Sequence, residues 1–195
     1  SVDMQDVVVL GNYAYLTSAK ATDSNFEIVD ITNPSSPTLV GKMLLDDTNY
    51  GGLAIAGKYA YVGITANWHG TAGLEVIDIS NPSNPVKVSM FEGINDVKDI
   101  YISGKYAYVA TVDDTRGFAV LDISDPANMS AVHVSYPQGY IESIKIINNH
   151  AFLTTVHCEH ISIGFGSSIP TGCKKALHIV NISHPEGSTS CISGM

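Results

Sequence analysis

Short apolar runs recur along the chain, and polar turns separate them. In the first copy they are Asp6 to Leu10, Asn12 to Thr17, Phe26 to Ile31 and Thr38 to Leu44. β-Branched and aromatic residues fill these runs, and clusters of Gly, Asn and Pro bound them, which is typical of strands. The pattern predicts four antiparallel strands, lettered a to d, joined by tight turns.

Two short segments recur four times and make the chain a tandem repeat. The segments between strands a and b begin at Gly11, Gly57, Gly104 and Asn148. The segments that end strand c begin at Asp30, Asp78, Asp122 and Asn181. The first segment steps by 46, 47 and 44 residues, a period typical of solenoids and propellers. We therefore predict an all-β fold, a β-propeller built of four tandem four-stranded antiparallel blades.

The predicted blades form a single domain over residues 1–195. They cover approximately 3–48, 49–95, 96–139 and 140–195. The last copy carries an insertion over 154–176 and a degenerate outer strand. Four blades make either a four-bladed ring or part of a larger propeller. Because an unclosed run leaves unpaired strands, we expect association through open blade edges.

The strand-c segments carry a family resemblance. They are Phe26 to Ile31, Leu74 to Ile79, Phe118 to Ile123 and Leu177 to Ile182. Together with the Asn-Pro-x-x-Pro that follows in the first two copies, they resemble the motif of the LVIVD repeat. This resemblance implies propeller blades in proteins mostly exported to the surface of bacteria and archaea. It implies no reaction and carries no functional residue to this chain.

We therefore expect a non-catalytic extracellular or cell-surface module that binds a protein or glycan, or assembles with itself. One alternative is a subunit of an extracellular filament or surface layer. Another is a metal-dependent propeller enzyme.

The charge of the chain limits the classes of partner that we expect it to bind. The formal net charge is −9, and only 10 Lys and Arg residues are present, scattered along the chain. A nucleic-acid binder usually carries a basic stripe against the phosphates, so we expect no nucleic-acid partner. No apolar run approaches the roughly 20 residues of a membrane span.

One face of the predicted propeller collects the b–c and d–a loops, which differ in every copy. Variable loops on a rigid scaffold commonly carry recognition, and aromatic rings beside polar groups suit a glycan or peptide. The predicted ligand residues are Tyr50, Trp68, His69, Asp113, Asp114, Arg116, Tyr136 and Tyr140. The alternative is a set of ordinary solvated loops whose tyrosines pack on the blades.

The insertion contains candidate metal ligands. His157 and His160 lie on either side of Cys158 and could hold zinc or copper. On a strand, residues three apart point to opposite faces, so these histidines would converge only on a loop. A structural role is the other interpretation. No cofactor is expected, and a divalent metal is the alternative; the loop pairs Asp46-Asp47 and Asp113-Asp114 are weaker calcium candidates.

The three cysteines fit an exported protein. Cys158 and Cys173 would then close a disulfide across the insertion, a bridge that stabilises by about 3 kcal/mol in the chain-entropy model. Cys191 is a possible alternative partner or an intermolecular one. In a reducing compartment all three would be free and buried.

Matching positions at the start of strand a hold Asp6, Gly52, Asp99 and Ser143. Two carboxylates beside a propeller channel could exchange protons with a substrate. The competing interpretation gives them hydrogen bonds to turns or neighbouring backbone.

Overall fold

A computed structural model describes residues 3–19, 25–45, 49–65, 72–94, 96–111, 117–135, 140–164, 167–183 and 191–194. Sixteen strands in these ranges form four antiparallel sheets of four strands each. In every sheet the spatial order of the strands follows their order in the chain. The predicted all-β fold of four repeated four-stranded units is confirmed.

Each sheet corresponds to one copy of the repeat. The first contains β1 (Asp3–Leu10), β2 (Tyr13–Ala19), β3 (Asn25–Asp30) and β4 (Thr38–Leu44). The second contains β5 (Asn49–Ala56), β6 (Tyr59–Thr65), β7 (Gly73–Asp78) and β8 (Val86–Glu92). The third contains β9 (Val97–Ser103), β10 (Tyr106–Thr111), β11 (Phe118–Asp122) and β12 (Ser130–Ser135). The fourth contains β13 (Tyr140–Ile147), β14 (His150–Gly164), β15 (Ser167–Asn181) and β16 (Cys191–Gly194).

The turn between the first two strands of each sheet explains the repeated Gly. Its first residue has positive φ in every copy, as at Gly57 with φ 58°. Asn148 holds this position in the fourth sheet with φ 46°, and asparagine tolerates this region better than most residues do. The fourth copy therefore keeps its hairpin without glycine.

The four sheets pack face to face in chain order. The first strand of each sheet contacts the first strand of the next, from β1 to β5, β5 to β9 and β9 to β13. No contact of comparable extent joins β13 back to β1 in the described ranges. The sheets therefore form an arc that is not closed into a ring.

Apolar side chains fill all three joints between successive sheets. At the first joint, Phe26 and Ile28 of the first sheet meet Leu53, Val62 and Ile77 of the second. Full burial of such a side chain stabilises the fold by roughly 1.5–3 kcal/mol. We name the side of a sheet that meets the next sheet its trailing face, and the side that meets the preceding sheet its leading face.

The same positions serve at the other two joints. Tyr61, Leu74 and Val76 form the trailing face of the second sheet against the third. Ile144, Leu153 and Val180 form the leading face of the fourth sheet. Because alternate residues of a strand point to opposite sides, one repeat supplies both faces.

The insertion in the fourth copy is not a loop, and that prediction was wrong. β14 and β15 remain paired from His150 opposite Asn181 to Gly164 opposite Ser167. The segments approaching the turn alternate isoleucine with smaller residues, as in Ile161-Ser162-Ile163, and this alternation favours extended strands. The insertion thus lengthens two strands into a ribbon.

Candidate functional site

The structure describes only two of the eight predicted ligand residues of the variable face, Tyr50 and Tyr140. Outside the described residues lie Trp68, His69, Asp113, Asp114, Arg116, Tyr136 and the Asp46-Asp47 pair. Tyr50 was expected in a loop but lies in β5, and Tyr140 begins β13, where it is half-buried. A ligand site on this face stays a prediction.

The two candidate metal-binding histidines both belong to β14. His157 is exposed and lies opposite Lys174, whereas the side chain of His160 is outside the description. An extended strand is the arrangement in which we expected these residues to diverge. Within the described residues no three potential ligands come together. The metal site remains an untested prediction.

The cysteines are placed by the strand register. Cys173 lies directly opposite Cys158 on the paired strands β14 and β15. The side chain of Cys158 is not described, so the Cys158–Cys173 bridge stays a prediction. Cys191 lies opposite Val180, seven residues along β15 from Cys173, or about 23 Å at the rise of a strand. That separation leaves an intermolecular bond as the prediction for Cys191.

The carboxylates at the start of the inner strands hold neighbouring sheets together. Asp6 accepts the backbone N–H of Leu53 in the second sheet at 2.8 Å, and that of Val7 at 2.7 Å. A bulge between Met4 and Asp6 breaks the regular register just before this carboxylate, and bulges commonly redirect a side chain. Asp6 thus makes a charge-assisted bond across the first joint.

Asp99 does the same at the third joint. It accepts the N–H of Ile144 and of Ile100, both at 2.9 Å. Burial raises the pKa of Asp99, the two backbone N–H groups oppose this shift, and the negative charge of Asp6 adds to it. Both carboxylates therefore bond to the backbone of a neighbouring sheet, as the structural interpretation of these positions predicted.

The middle joint is built differently. Gly52 stands where the neighbouring sheets have aspartate; its φ is 75°, and a Cβ there would lie 3.0 Å from the Cα of Asp99. Nearby, a Cβ on Gly63 would overlap the carbonyl oxygen of Gly51 and the side chain of Val97. Backbone proximity thus replaces the carboxylate link between the second and third sheets.

Aromatic residues follow the same alternation. Tyr15 and Phe26 stack at 6.2 Å on the trailing face of the first sheet, and Tyr108 and Phe118 stack at 6.3 Å on that of the third. The second sheet has Leu74 at the phenylalanine position. Joints one and three are therefore of one class, and joint two is of another.

Carboxylates at the opposite end of the sheets stabilise turns. Asp78 accepts the N–H of Ser80 at 2.8 Å and pairs with Lys58 at 3.0 Å. The Ser80 bonds, followed by Lys58, lower the pKa of Asp78 to about 2. Asp122 repeats this arrangement with Ser124 and Lys105. These repeated groups maintain the turn.

The leading face of the first sheet is the feature that sequence reasoning missed. Val7, Val9 and Leu39 are 55%, 61% and 57% exposed. The counterparts of Val7 and Val9 meet a preceding sheet; Leu53, the counterpart of Val7, is only 5% exposed. The counterparts of Leu39 are Lys87 and Ala131, both exposed. The positions of Val7 and Val9 are apolar in every copy, so the sequence alone does not set the first copy apart.

The trailing face of the fourth sheet is likewise uncovered. Leu177 is 41% exposed, whereas Phe26, Leu74 and Phe118 at the same position are fully buried. Lys145 is exposed beside it. The open ends of the arc thus present two sheet faces of unlike composition, where we had expected only open edges.

Comparisons with known proteins support this architecture. The model of the LVIVD repeat matches three times, over residues 3–44, 50–92 and 95–135. A solved protein of unknown function from Desulfotomaculum acetoxidans DSM 771 is similar in fold, with a TM-score of 0.52 and 11% identity over 97% of this chain and 69% of that one. No curated protein matches the chain. No helix able to cross a membrane occurs in the described part of the chain.

Proposed function

This chain belongs to the LVIVD-repeat family, and from that premise we propose that it is a non-catalytic propeller-type module that works by association. Its partners are a protein, a glycan or further copies of itself. We place it outside the cell or on the cell surface, as the family resemblance implies.

The observation that carries the proposal is the uncovered leading face of the first sheet. Val9 lies opposite Ala14, Ala14 opposite Val29 and Val29 opposite Leu39, so an apolar row crosses all four strands of this face, and Val7 flanks it on β1. Isolated apolar residues are ordinary on a protein surface, but a contiguous patch commonly marks an interaction site. On the first three strands of each other sheet the same face is buried in a joint, so the repeat already uses this surface for contact.

The hydrogen bonds that the carboxylates at the start of the inner strands accept from backbone support a non-catalytic role. Asp6 and Asp99 each bind two backbone N–H groups. Protonating either carboxylate would weaken the joint that it maintains, so these residues are poorly suited to proton exchange with a substrate. The proposal accordingly includes no cofactor.

The unequal ends favour a second form of the same function, a subunit of a filament or surface layer. A contact between two different surfaces is heterologous; it forms a ring when the rotation closes and an open filament when it does not. The exposed faces of the first and fourth sheets are such a pair.

Light scattering of the purified chain, with and without reducing agent, tests the proposal. We expect a species larger than one chain that persists after reduction, because apolar faces hold it. Species that disperse on reduction would assign the association to Cys191. A monomer at every concentration, with no capture of glycans or surface proteins in binding assays, would contradict the proposal.

The metal-dependent alternative needs a separate measurement. Metal analysis of the wild-type chain and of His160→Ala distinguishes a specific site from background. A stoichiometric metal that His160→Ala removes would replace the non-catalytic proposal with the metal-dependent one.

A further inference from the structure

We infer that the leading face of the first sheet is covered by the trailing face of the fourth sheet of a second copy, in the manner in which the second sheet covers the third. This inference rests on the proposed function and names the partner and the surface. Positions, joint class and backbone hydrogen bonds each support it.

The receiving surface matches that of the third sheet position by position. Val7 and Val9 correspond to Ile100 and Ile102, which pack in the core between the second and third sheets. The register pairs Val9 with Ala14, as it pairs Ile102 with the buried Ala107. The first sheet therefore keeps the apolar pattern of a surface that receives another sheet.

The covering surface matches that of the second sheet. Leu177 and Ile179 of β15 correspond to Leu74 and Val76 of β7, both fully buried against the third sheet. Phe152 corresponds to Tyr61, so an aromatic ring is present at the same place in β14. This surface is the only one of the four trailing faces without a partner in the described structure.

Backbone hydrogen bonds indicate that the joint between the two copies belongs to the same class as the middle joint. At the first and third joints, the aspartate of the preceding sheet binds the receiving N–H, that of Leu53 or Ile144. At the middle joint the receiving N–H, that of Ile100, is bound by the aspartate of its own sheet. Val7 is bound in this second way, by Asp6.

The covering sheet agrees with this assignment. Because the N–H of Val7 already has an acceptor, the partner need not supply a carboxylate. Ser143 stands in the fourth sheet where Gly52 stands in the second, and its hydroxyl bonds to Thr154 at 2.8 Å. Lys145 replaces Ala54, and its long aliphatic stem can cover apolar surface while the ammonium remains in water.

Two copies joined in this way present eight sheets in succession. Propellers close with roughly four to eight blades, so a closed dimer is the expected form. Each copy has one covering face and one receiving face, so each copy of the closed dimer takes part in two joints, one through each face.

Complementation between two variants tests the inference. Val9→Asp places a charge on the receiving face, and Leu177→Asp places one on the covering face. We expect each variant alone to be monomeric, and an equimolar mixture to form a one-to-one heterodimer through its single intact joint. Val86→Asp is the matched control, because Val86 is 51% exposed on β8 and outside both faces; this variant should dimerise like wild type.

The readouts are light scattering, with melting temperature as the check on folding. Val7→Lys gives a second receiving-face variant if Val9→Asp melts early, because the counterparts of Val7 (Leu53, Ile100 and Ile144) are buried in every joint. Two results would overturn the inference and leave the proposed function standing. In one, every variant still associates; in the other, the equimolar mixture of the two variants stays monomeric. A monomeric wild-type chain would overturn the inference and remove the self-association half of the proposed function.

Discussion

At the scale of single residues, one side-chain type performs two different tasks at the two ends of the repeat. Asp6 and Asp99 bind backbone across a joint, whereas Asp78 and Asp122 bind a turn within one sheet. Both tasks use the ability of a carboxylate to accept several hydrogen bonds. The surroundings separate them, since burial raises the pKa of Asp99 while exposed donors lower that of Asp78.

The carboxylate of Asp99 is expected to stabilise the third joint. Asp99→Ala leaves the N–H groups of Ile144 and Ile100 without this acceptor, and a lost hydrogen bond to a charged group costs about 1.5–3 kcal/mol. Urea denaturation should show a loss of this size. Asp3→Ala is the control, because Asp3 is exposed. Equal stability of the two variants would show that the bond contributes nothing.

Asp78 should titrate well below an ordinary carboxylate. Its folded pKa is about 2, against about 3.9 in an unfolded chain. A lowered folded pKa means that the stabilising contribution is complete above about pH 4 and is lost as the pH falls toward 2. Carboxyl titration by NMR measures it directly.

The donors to Asp78 have an expected rank. Ser80→Ala should raise the pKa more than Lys58→Met does, because it removes the hydroxyl bond of Ser80, the largest single cause of the lowered pKa, while the backbone N–H of residue 80 remains. Asp30 is an internal reference, since Thr32 lowers its pKa with Asn12 in the place of the lysine. A larger effect from Lys58→Met would reverse this account of the turn.

At the scale of strands and turns, the repeat was predictable and its irregularities were less so. Alternating apolar residues and recurrent Gly and Pro turns indicated four strands in each copy, because these are local signals. The β14–β15 ribbon was missed, since His, Cys, Pro and Gly within 154–176 resemble a loop in composition. Two segments of weak strand propensity can still pair with each other, and this pairing is not visible in the sequence of either segment alone.

Replacement of Gly63 by alanine is expected to destabilise the second sheet at the middle joint. In Gly63→Ala the new methyl group would overlap the side chain of Val97 and the carbonyl of Gly51, and overpacking of this kind costs about 1–3 kcal/mol. Gly172→Ala is the control, since no atom lies within 4 Å of its Cβ position. Thermal melting of both variants checks this. If Gly63→Ala melts at the same temperature as Gly172→Ala, the middle joint is less tightly packed than the structure shows.

The ribbon should contain the predicted bridge between Cys158 and Cys173. Opposite residues on paired strands have Cα atoms about 4.5–5.5 Å apart, within the range of disulfides. Peptide mapping of the non-reduced chain should recover the two residues in one linked fragment. Recovery of Cys191 linked to either of them within one chain would contradict the register of β15.

At the scale of the whole molecule, the stacking of the four sheets was predictable but its openness was not. Every copy has apolar residues on both faces, so the sequence indicates that each sheet has neighbours on two sides. Whether the last sheet returns to the first depends on the rotation at each joint, which arises from contacts such as those of Gly52 and Asp99. The variable face and its ligand residues remain predictions.

Lys145 is expected to weaken the contact between copies. Lys145→Ala reproduces the residue found in the second sheet and removes the entropy cost of fixing a long lysine side chain at the contact. We expect about tenfold tighter association, or ~1.4 kcal/mol, measured by sedimentation over a dilution series. Lys98→Ala is a surface control, because Lys98 is exposed on β9 of the third sheet, away from both proposed faces. Weaker association of Lys145→Ala would show that the ammonium takes part in the contact.

The alternation of joints has a consequence for the origin of the molecule. Asp6 and Asp99 lie two copies apart, as do Gly52 and Ser143, so an aspartate and a small residue alternate along the four sheets. Duplication of a gene segment encoding a pair of blades would leave this arrangement. Ancestors and descendants of this chain that grew in the same way would gain or lose blades in twos, and their blade number would remain even.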